Sequence, residues 1–187
     1  RSFVAGADIG SMSKMTKDEG EDWGRFGNDI FLSIESCPVP VIAAVNGFAL
    51  GGGTALSLAC DFRICSDNAV FGQPEVGLGV TPGFGGTQRL ARAVGMGMAK
   101  EMIFTGKNIK ADEALRIGLV NHVYPQAELM DEAVKLAKTI AKQAPIAVRN
   151  CKKAINEGYS LDINKAVEIE EKAFGDCFET HDQVEGM

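Results

Sequence analysis

Two parts of this sequence carry residue types suited to chemistry at a carbonyl group. In Val45-Asn46-Gly47-Phe48-Ala49-Leu50-Gly51-Gly52-Gly53, three successive glycines follow an apolar run. Lacking Cβ atoms, they adopt backbone angles closed to other residues and let a substrate come close to the peptide N–H groups. A helix starting there leaves its first N–H groups without intrahelical acceptors. Such donors stabilise an oxygen that turns negative during a reaction, and removing one typically costs about 10²–10³-fold in rate. A second glycine turn, Ala5-Gly6-Ala7-Asp8, also follows an apolar stretch. A fold that brings the two turns together lets one N–H from each grip a single carbonyl oxygen. The second part is Phe71-Gly72-Gln73-Pro74-Glu75-Val76-Gly77-Leu78-Gly79-Val80, where Glu75 is one acid in an apolar, glycine-rich loop. Desolvation favours its neutral form and brings it nearer the pH at which a carboxyl both accepts and gives a proton. The residues alone leave plainer readings open: glycines that permit tight strand-to-helix turns, and a carboxylate that caps a turn or pairs with Arg89 or Arg92.

Other chemistries find little support. There is no G-x-x-x-x-G-K-[ST] and no strand-placed G-x-G-x-x-G to cradle a phosphate. The two histidines, His122 in a strand-like stretch and His181 in a charged tail, join no cluster with metal-ligand spacing, so no metal is expected. No Ser/His/Asp set stands out. A net charge of -6 without a concentrated basic face argues against nucleic acid as the main partner. The cysteines Cys37, Cys60, Cys65, Cys151 and Cys177 are odd in number and lack C-x-x-C spacing, which fits reduced thiols and a cytoplasmic location. No apolar run reaches the roughly 18 residues of a spanning helix, so no membrane role is expected.

The elements that must position Glu75 and the glycine turns follow from periodicity. Ser2 to Val4 reads as a strand end, and Lys17 to Ser36 as a helix with Trp23, Phe26, Ile30, Phe31 and Ile34 on one face. Val39 to Val45, with three valines, predicts a strand buried on both faces that turns sharply into a helix. That helix is expected over Thr54 to Ala59, with short strands at Asp61 to Cys65 and Ala69 to Gly72. Further helices are expected over Thr87 to Val94, Gly97 to Phe104 and Ala111 to Ile117, the last stopped by Gly118 before a strand at Leu119 to Val123. The remainder reads as helical: Glu128 to Ala144 with one apolar stripe, Ile146 to Asn156 with Pro145 in its first turn, and a helix capped by Asp162 running to Phe178. No internal repeat or long linker suggests a second independent domain. The abrupt start, an apolar strand entering a glycine turn, suggests an N-terminal part that is missing here.

Several segments resemble the crotonase (enoyl-CoA hydratase/isomerase) superfamily in family order. They are Phe3-Val4-Ala5-Gly6-Ala7-Asp8-Ile9, Pro40-Val41-Ile42-Ala43-Ala44-Val45-Asn46-Gly47 with its glycine triplet, and Phe71-Gly72-Gln73-Pro74-Glu75. Pro82-Gly83-Phe84-Gly85-Gly86-Thr87-Gln88-Arg89-Leu90, Thr105-Gly106, Ala111-Asp112-Glu113-Ala114 and Gly118-Leu119-Val120 follow. The likeness runs along essentially the whole chain and is greatest to bacterial short-chain enoyl-CoA hydratases. It implies an α/β crotonase-like spiral of ββα units over residues 1–123, then a helical C-terminal trimerisation region over 124–187. It further implies an acyl-CoA thioester substrate with no separate cofactor, coenzyme A being part of the substrate, and a homo-oligomer, trimer or hexamer. The thioester oxygen would meet the N–H groups of Ala7 and Gly52, with substrate contacts from Ala5, Asp8, Ile9, Gly51, Pro74 and Gly83.

The resemblance also exposes a departure. Hydratases use two glutamates; the second matches Glu75, while the first falls at Ala55, which can neither orient water nor move a proton. The expectation is a short-chain enoyl-CoA hydratase substituted at position 55. The alternatives are an enoyl-CoA isomerase working with Glu75 alone and a non-catalytic acyl-CoA- or RNA-binding homologue. Many members also carry a basic residue after the Asp-Ile pair for CoA phosphates; Gly10 stands there, so no phosphate-binding side chain is assigned.

Overall fold

A computed structural model describes residues 2–187. Its elements in chain order are β1 (Ser2–Val4), α1 (Ile9–Met12), α2 (Lys17–Glu35), β2 (Ile42–Val45), β3 (Phe48–Leu50), α3 (Gly52–Ala59), β4 (Phe62–Ser66) and β5 (Val70–Gly72). A 3-10 turn at Pro74–Leu78 leads to α4 (Gly86–Val94), α5 (Met96–Thr105), β6 (Ile109–Lys110), α6 (Ala111–Arg116) and β7 (His122–Tyr124). Four helices complete the chain: α7 (Leu129–Ala141), α8 (Pro145–Gly158), α9 (Ile163–Cys177) and α10 (His181–Gly186).

The strands form two sheets, ordered β1-β3-β5-β6 and β2-β4-β7. After β2 the chain turns a corner at Asn46-Gly47 and enters the other sheet as β3; β4 and β5 repeat the manoeuvre around Asp67 to Ala69. Each strand then lies parallel to the one a turn later, Ile42 beside Phe62 through Val45 beside Cys65, and Phe48 beside Val70 through Leu50 beside Gly72. That is the ββα spiral the resemblance implied. Only β5 and β6 pair antiparallel among the described strands. Right-handed crossover through a helix is the ordinary way to connect such parallel neighbours.

The chain divides into two compact units, one holding Val41–Ala133 with the chain up to Ile34, the other Glu35–Pro40 with Val134–Met187. In the first, Val45, Ala49, Ile64, Cys65, Phe71, Leu90, Met102 and Leu119 form a core closed to solvent. Burial pushes the Cys65 thiol up to about 12, so this cysteine behaves as a small hydrophobe. In the second, α8 and α9 pack closely enough that a Cβ on Gly158 would stand 3.3 Å from Ala166 Cβ. Lys152 Nζ and Asn156 Nδ2 donate to the carbonyls of Val39 and Glu35 at 3.2 and 3.1 Å, tying α8 to the Glu35–Pro40 segment. Asp162 caps α9 as expected, accepting from Asn164 N at 3.0 Å.

Four expectations need correction. The strand at Val39 to Val45 is shorter and buried on one face: only Ala43 and Val45 are closed off, and β2 lies at the edge of its sheet. Its apolar run does not enter a helix directly, because β3 intervenes and α3 already begins at Gly52. The strand expected at Leu119 to Val123 is displaced to His122–Tyr124. Leu119 and Val120 instead close the end of α6, both amides bonding to Ala114 O at 2.8 and 3.3 Å after Gly118 turns left-handed. His181 begins the helix α10, whose first turn is capped by Thr180 Oγ1.

Candidate active site

Parallel neighbours end on the same side of a sheet, so the loops that follow them meet there. β1 pairs with β3, and the turn after each is one of the two glycine turns picked out in the sequence. Packing between them is close. A Cβ on Gly53 would lie 1.9 Å from Val4 O, so only glycine lets the first turn of α3 abut the end of β1. Among the described residues, neither Ala7 N nor Gly52 N donates to another protein group. Gly52 opens α3, where the helix dipole adds to the pull on an anion.

Gly51 takes φ 54° and ψ -120°, backbone angles that a residue with a Cβ strongly resists. Its N–H donates to Gly72 O at 2.9 Å. Thr54, fully buried, fastens the same loop from below. Its hydroxyl lies 2.6 Å from Ala49 O and 2.9 Å from Gly72 O, and accepts from Gly72 N at 3.2 Å. One hydroxyl thus joins the ends of β3 and β5. Sequence reasoning missed this residue; a Thr directly after a glycine triplet, at a helix start, was the available signal.

Glu75 follows Gly72 by three residues and sits in the first turn of the 3-10 segment. Its carboxyl reaches back to the glycine loop: a Cβ on Gly51 would be 3.1 Å from Glu75 Oε1. Burial raises the carboxyl above the ordinary glutamate range, partly offset by its own main-chain N–H, with no cation among the causes. The arginines weighed as partners are turned elsewhere, Arg89 Nη1 to Phe84 O at 3.0 Å and Arg92 Nη1 to Gln88 O at 3.1 Å. Pro74 sets the first position of the turn, and the fully buried Gln73 lies against the carboxyl.

Next to Gly52 stands an apolar wall. A Cβ on Gly52 would be 3.5 Å from the Phe84 ring, which meets Phe31 edge-on at 5.8 Å and Trp23 at 5.8 Å. The Phe84 loop is held on α2 by Asn28 Nδ2, which donates to Gly83 O at 2.9 Å. Ala55 belongs to this wall, 2% exposed and clustered with Phe31, Ala59, Ile34, Leu56 and Phe84. The remaining substrate-contact candidates are spread. Ala5, Asp8 and Ile9 are exposed, and Asp8 caps α1, accepting from Gly10 N at 3.0 Å and Ser11 Oγ at 2.6 Å. These bonds hold the Asp8 carboxyl below the usual range, that from Ser11 most. A cavity of about 250 Å³ lined by Met98, Met102, Lys107 and Asp112 contains neither Glu75 nor the glycine loop. His181, Asp182 and Glu185 approach one another on one exposed turn of α10, an arrangement the helix creates and the sequence reading did not anticipate.

The structure is thus a spiral of ββα turns in which two glycine turns follow neighbouring parallel strands and a half-buried carboxyl without a cation among its partners lies against one of them. The chain belongs to the enoyl-CoA hydratase/isomerase family, whose model matches residues 1–187. It is 59% identical over 187 residues to the short-chain-enoyl-CoA hydratase of Clostridium acetobutylicum, covering 100% of this chain and 72% of that protein. To the crotonyl-CoA hydratase of Syntrophomonas wolfei it is 57% identical, with the same coverages of 100% and 72%. Among solved structures, the enoyl-CoA hydratase of Bacillus anthracis superimposes with TM-score 0.93 at 44% identity, over 97% of this chain and 70% of that one. The fold is therefore the crotonase-like spiral followed by a helical region. No helix among the described residues is long and apolar enough to cross a membrane.

Proposed function

We propose that this chain acts as a short-chain enoyl-CoA hydratase, adding water reversibly across the double bond of a 2-enoyl-CoA such as crotonyl-CoA to give the 3-hydroxyacyl-CoA. The observation that carries the chemistry is the Glu75 carboxyl, raised by burial and set against the Gly51 loop that opens α3. In this reading the thioester oxygen accepts from Ala7 N–H and Gly52 N–H. Those bonds draw electron density out of the double bond, making Cβ electrophilic and Cα able to carry enolate charge. Water then bonds to Cβ, its proton passes to the Glu75 carboxylate, and the same carboxyl delivers a proton to Cα. The net change is one water added, and Glu75 ends as it began. The Phe84 wall beside Gly52 suits a short hydrocarbon chain. Ala5, Asp8, Ile9, Pro74 and Gly83 would border the substrate, coenzyme A arriving as part of it. No cofactor enters the balance.

Ala55 supports a second reading, isomerisation by the single acid. Glu75 would take a proton from one carbon of a 3-enoyl-CoA and return it to another, with the same two N–H groups holding the enolate. The two readings separate on two substrates. Hydration of crotonyl-CoA, followed by loss of enoyl absorbance, supports the first; conversion of a 3-enoyl-CoA to its 2-enoyl isomer without hydration supports the second. Failure of both substrates to react, or a Glu75→Gln variant as active as the parent, would sink both readings. A homo-oligomer is also proposed: Ile155, Tyr159 and Ile163 around the α8–α9 turn and Phe174 and Phe178 on α9 are exposed apolar groups.

A further inference from the structure

Arg63 is a half-buried cation that the chemistry outlined above does not use. Its main chain is pinned in β4, where Arg63 N donates to Asn121 Oδ1 at 3.0 Å and Asn121 N donates to Arg63 O at 2.8 Å. From that fixed point the side chain reaches three main-chain carbonyls. Nε donates to Leu119 O at 2.7 Å, and Nη1 donates to Ser57 O at 3.3 Å and to Cys60 O at 3.2 Å. Ser57 lies in the last turn of α3 and Cys60 is its C-cap, so the guanidinium sits on carbonyls that the helix itself leaves open. Burial pushes the guanidinium below the ordinary arginine range, as expected of a charge that has given up water. The negative pole of a helix end compensates such a cation.

The opposite end of the same helix begins at Gly52, and eight residues set the two ends about 12 Å apart. An anion beside the first turn is drawn by the near pole and repelled by the far one. We propose that Arg63 is a positioning residue for the enolate: its cation closes the negative end of α3, holds that end in place, and so strengthens the pull of Gly52 N–H on the thioester oxygen. At about 12 Å, with an effective dielectric constant of about 20, one unit charge changes the balance between an enolate and its neutral form by roughly 10-fold. The inference rests on the proposed reading of Gly52 N–H as a donor to that oxygen.

Its test uses a bound analogue and needs no turnover. Acetoacetyl-CoA is a four-carbon thioester that loses a proton from its α-carbon to give an enolate with its own ultraviolet band. At a fixed pH, with the analogue fully bound, that band reads how strongly the site favours the anion. The parent chain should raise the enolate share above that of free acetoacetyl-CoA. Arg63→Met should lower the enolate-to-ketone ratio of the bound analogue about 10-fold, and Arg63→Lys, which keeps the charge, should recover most of it. Asp61 lies near enough to Arg63 for its negative charge to oppose the cation, so Asp61→Asn should raise the ratio. An amide there can still accept from Val41 N, which donates to Asp61 Oδ2 at 2.6 Å. An Arg63 that merely holds the fold would lower the melting temperature in both its variants and leave the ratio unchanged, which overturns the proposal. Should Arg63→Met not fold, an Asp61→Asn ratio equal to or below the parent's overturns it equally. If the parent leaves the ratio at its value in free solution, the reading of Gly52 as an oxyanion donor fails, and this inference with it.

Discussion

Replacing Ala55 by Glu tests the functional reading most directly, because the structure sets both its benefit and its cost. Ala55 lies on α3 three residues beyond Gly52, and its N–H bonds to Gly51 O at 3.0 Å. Its methyl is 2% exposed and faces Phe31, Ala59 and Phe84. A glutamate there must push its carboxyl past the Phe84 ring toward the space next to Gly52. Overfilling a packed core costs about 1–3 kcal/mol. For a chain of this length, that lowers the melting temperature by roughly 2–12 °C. Against this stands a second group able to hold water and move a proton, which is worth about 10²–10⁴ in rate. In barrier terms that is about 3–5 kcal/mol. The packing cost lowers stability and not the barrier, so the variant that remains folded should hydrate crotonyl-CoA far faster than the parent, read as loss of enoyl absorbance. A variant that melts cooperatively, is protected by acyl-CoA in a thermal shift, and yet hydrates no faster than the parent would refute the reasoning.

Glu75→Gln should abolish hydration or isomerisation. It should also raise the melting temperature at pH 8 more than at pH 4: a carboxyl raised in the folded state stabilises below its unfolded pKa and loses that contribution as pH climbs through the folded value. The parent's rate should correspondingly fall on acidification at a pH above the ordinary glutamate range, since the reaction starts from the carboxylate. Gly53→Ala sets a methyl against Val4 O and should cost about 1–3 kcal/mol or more, with loss of cooperative melting as the extreme outcome. An unaltered melt would show that the α3–β1 contact is not tight. Thr54→Val removes the hydroxyl that joins Ala49 O, Gly72 O and Gly72 N, and should cost about 1–3 kcal/mol by leaving those buried groups short of a partner. Equal stability of the two proteins by chemical denaturation would contradict that bookkeeping.

Much of the framework was legible because it depends on local pattern. The helix face of α2, the cap at Asp162 and the stop at Gly118 are each written in a few neighbouring residues. β3 escaped because it is three residues long, and Phe48-Ala49-Leu50 reads as part of the apolar approach to the glycines until the corner at Gly47 is seen. The extent of β2 was overestimated for a related reason: an apolar run shows that residues avoid water but not which face of a strand they cover. At the site, Glu75 stood out as one acid among apolar neighbours, and its raised pKa follows from that setting. Thr54 did not, since its importance lies in contacts made across the spiral, to Gly72 18 positions away, that no spacing rule encodes.

In the proposed reading, the carboxyl and one of the two amide-bearing turns depend on a single residue of the spiral. Gly72 ends β5, receives the Gly51 N–H, shares the Thr54 hydroxyl, and leads within three residues to Glu75. The amide-bearing loop and the acid are thus fastened to one residue rather than to separate walls. A displacement of Gly72 would therefore reach both the Gly51 loop and Glu75, whereas Ala7, on the turn after β1, is held separately. Position 55 is attached differently, through the aromatic packing of α2 and Phe84. Alanine at that position takes no part in the hydrogen bonds at Gly72. The mechanical consequence is testable in one comparison: Ala55→Glu should change rate with little effect on acyl-CoA affinity, whereas Thr54→Val, acting at the anchor, should weaken binding and rate together.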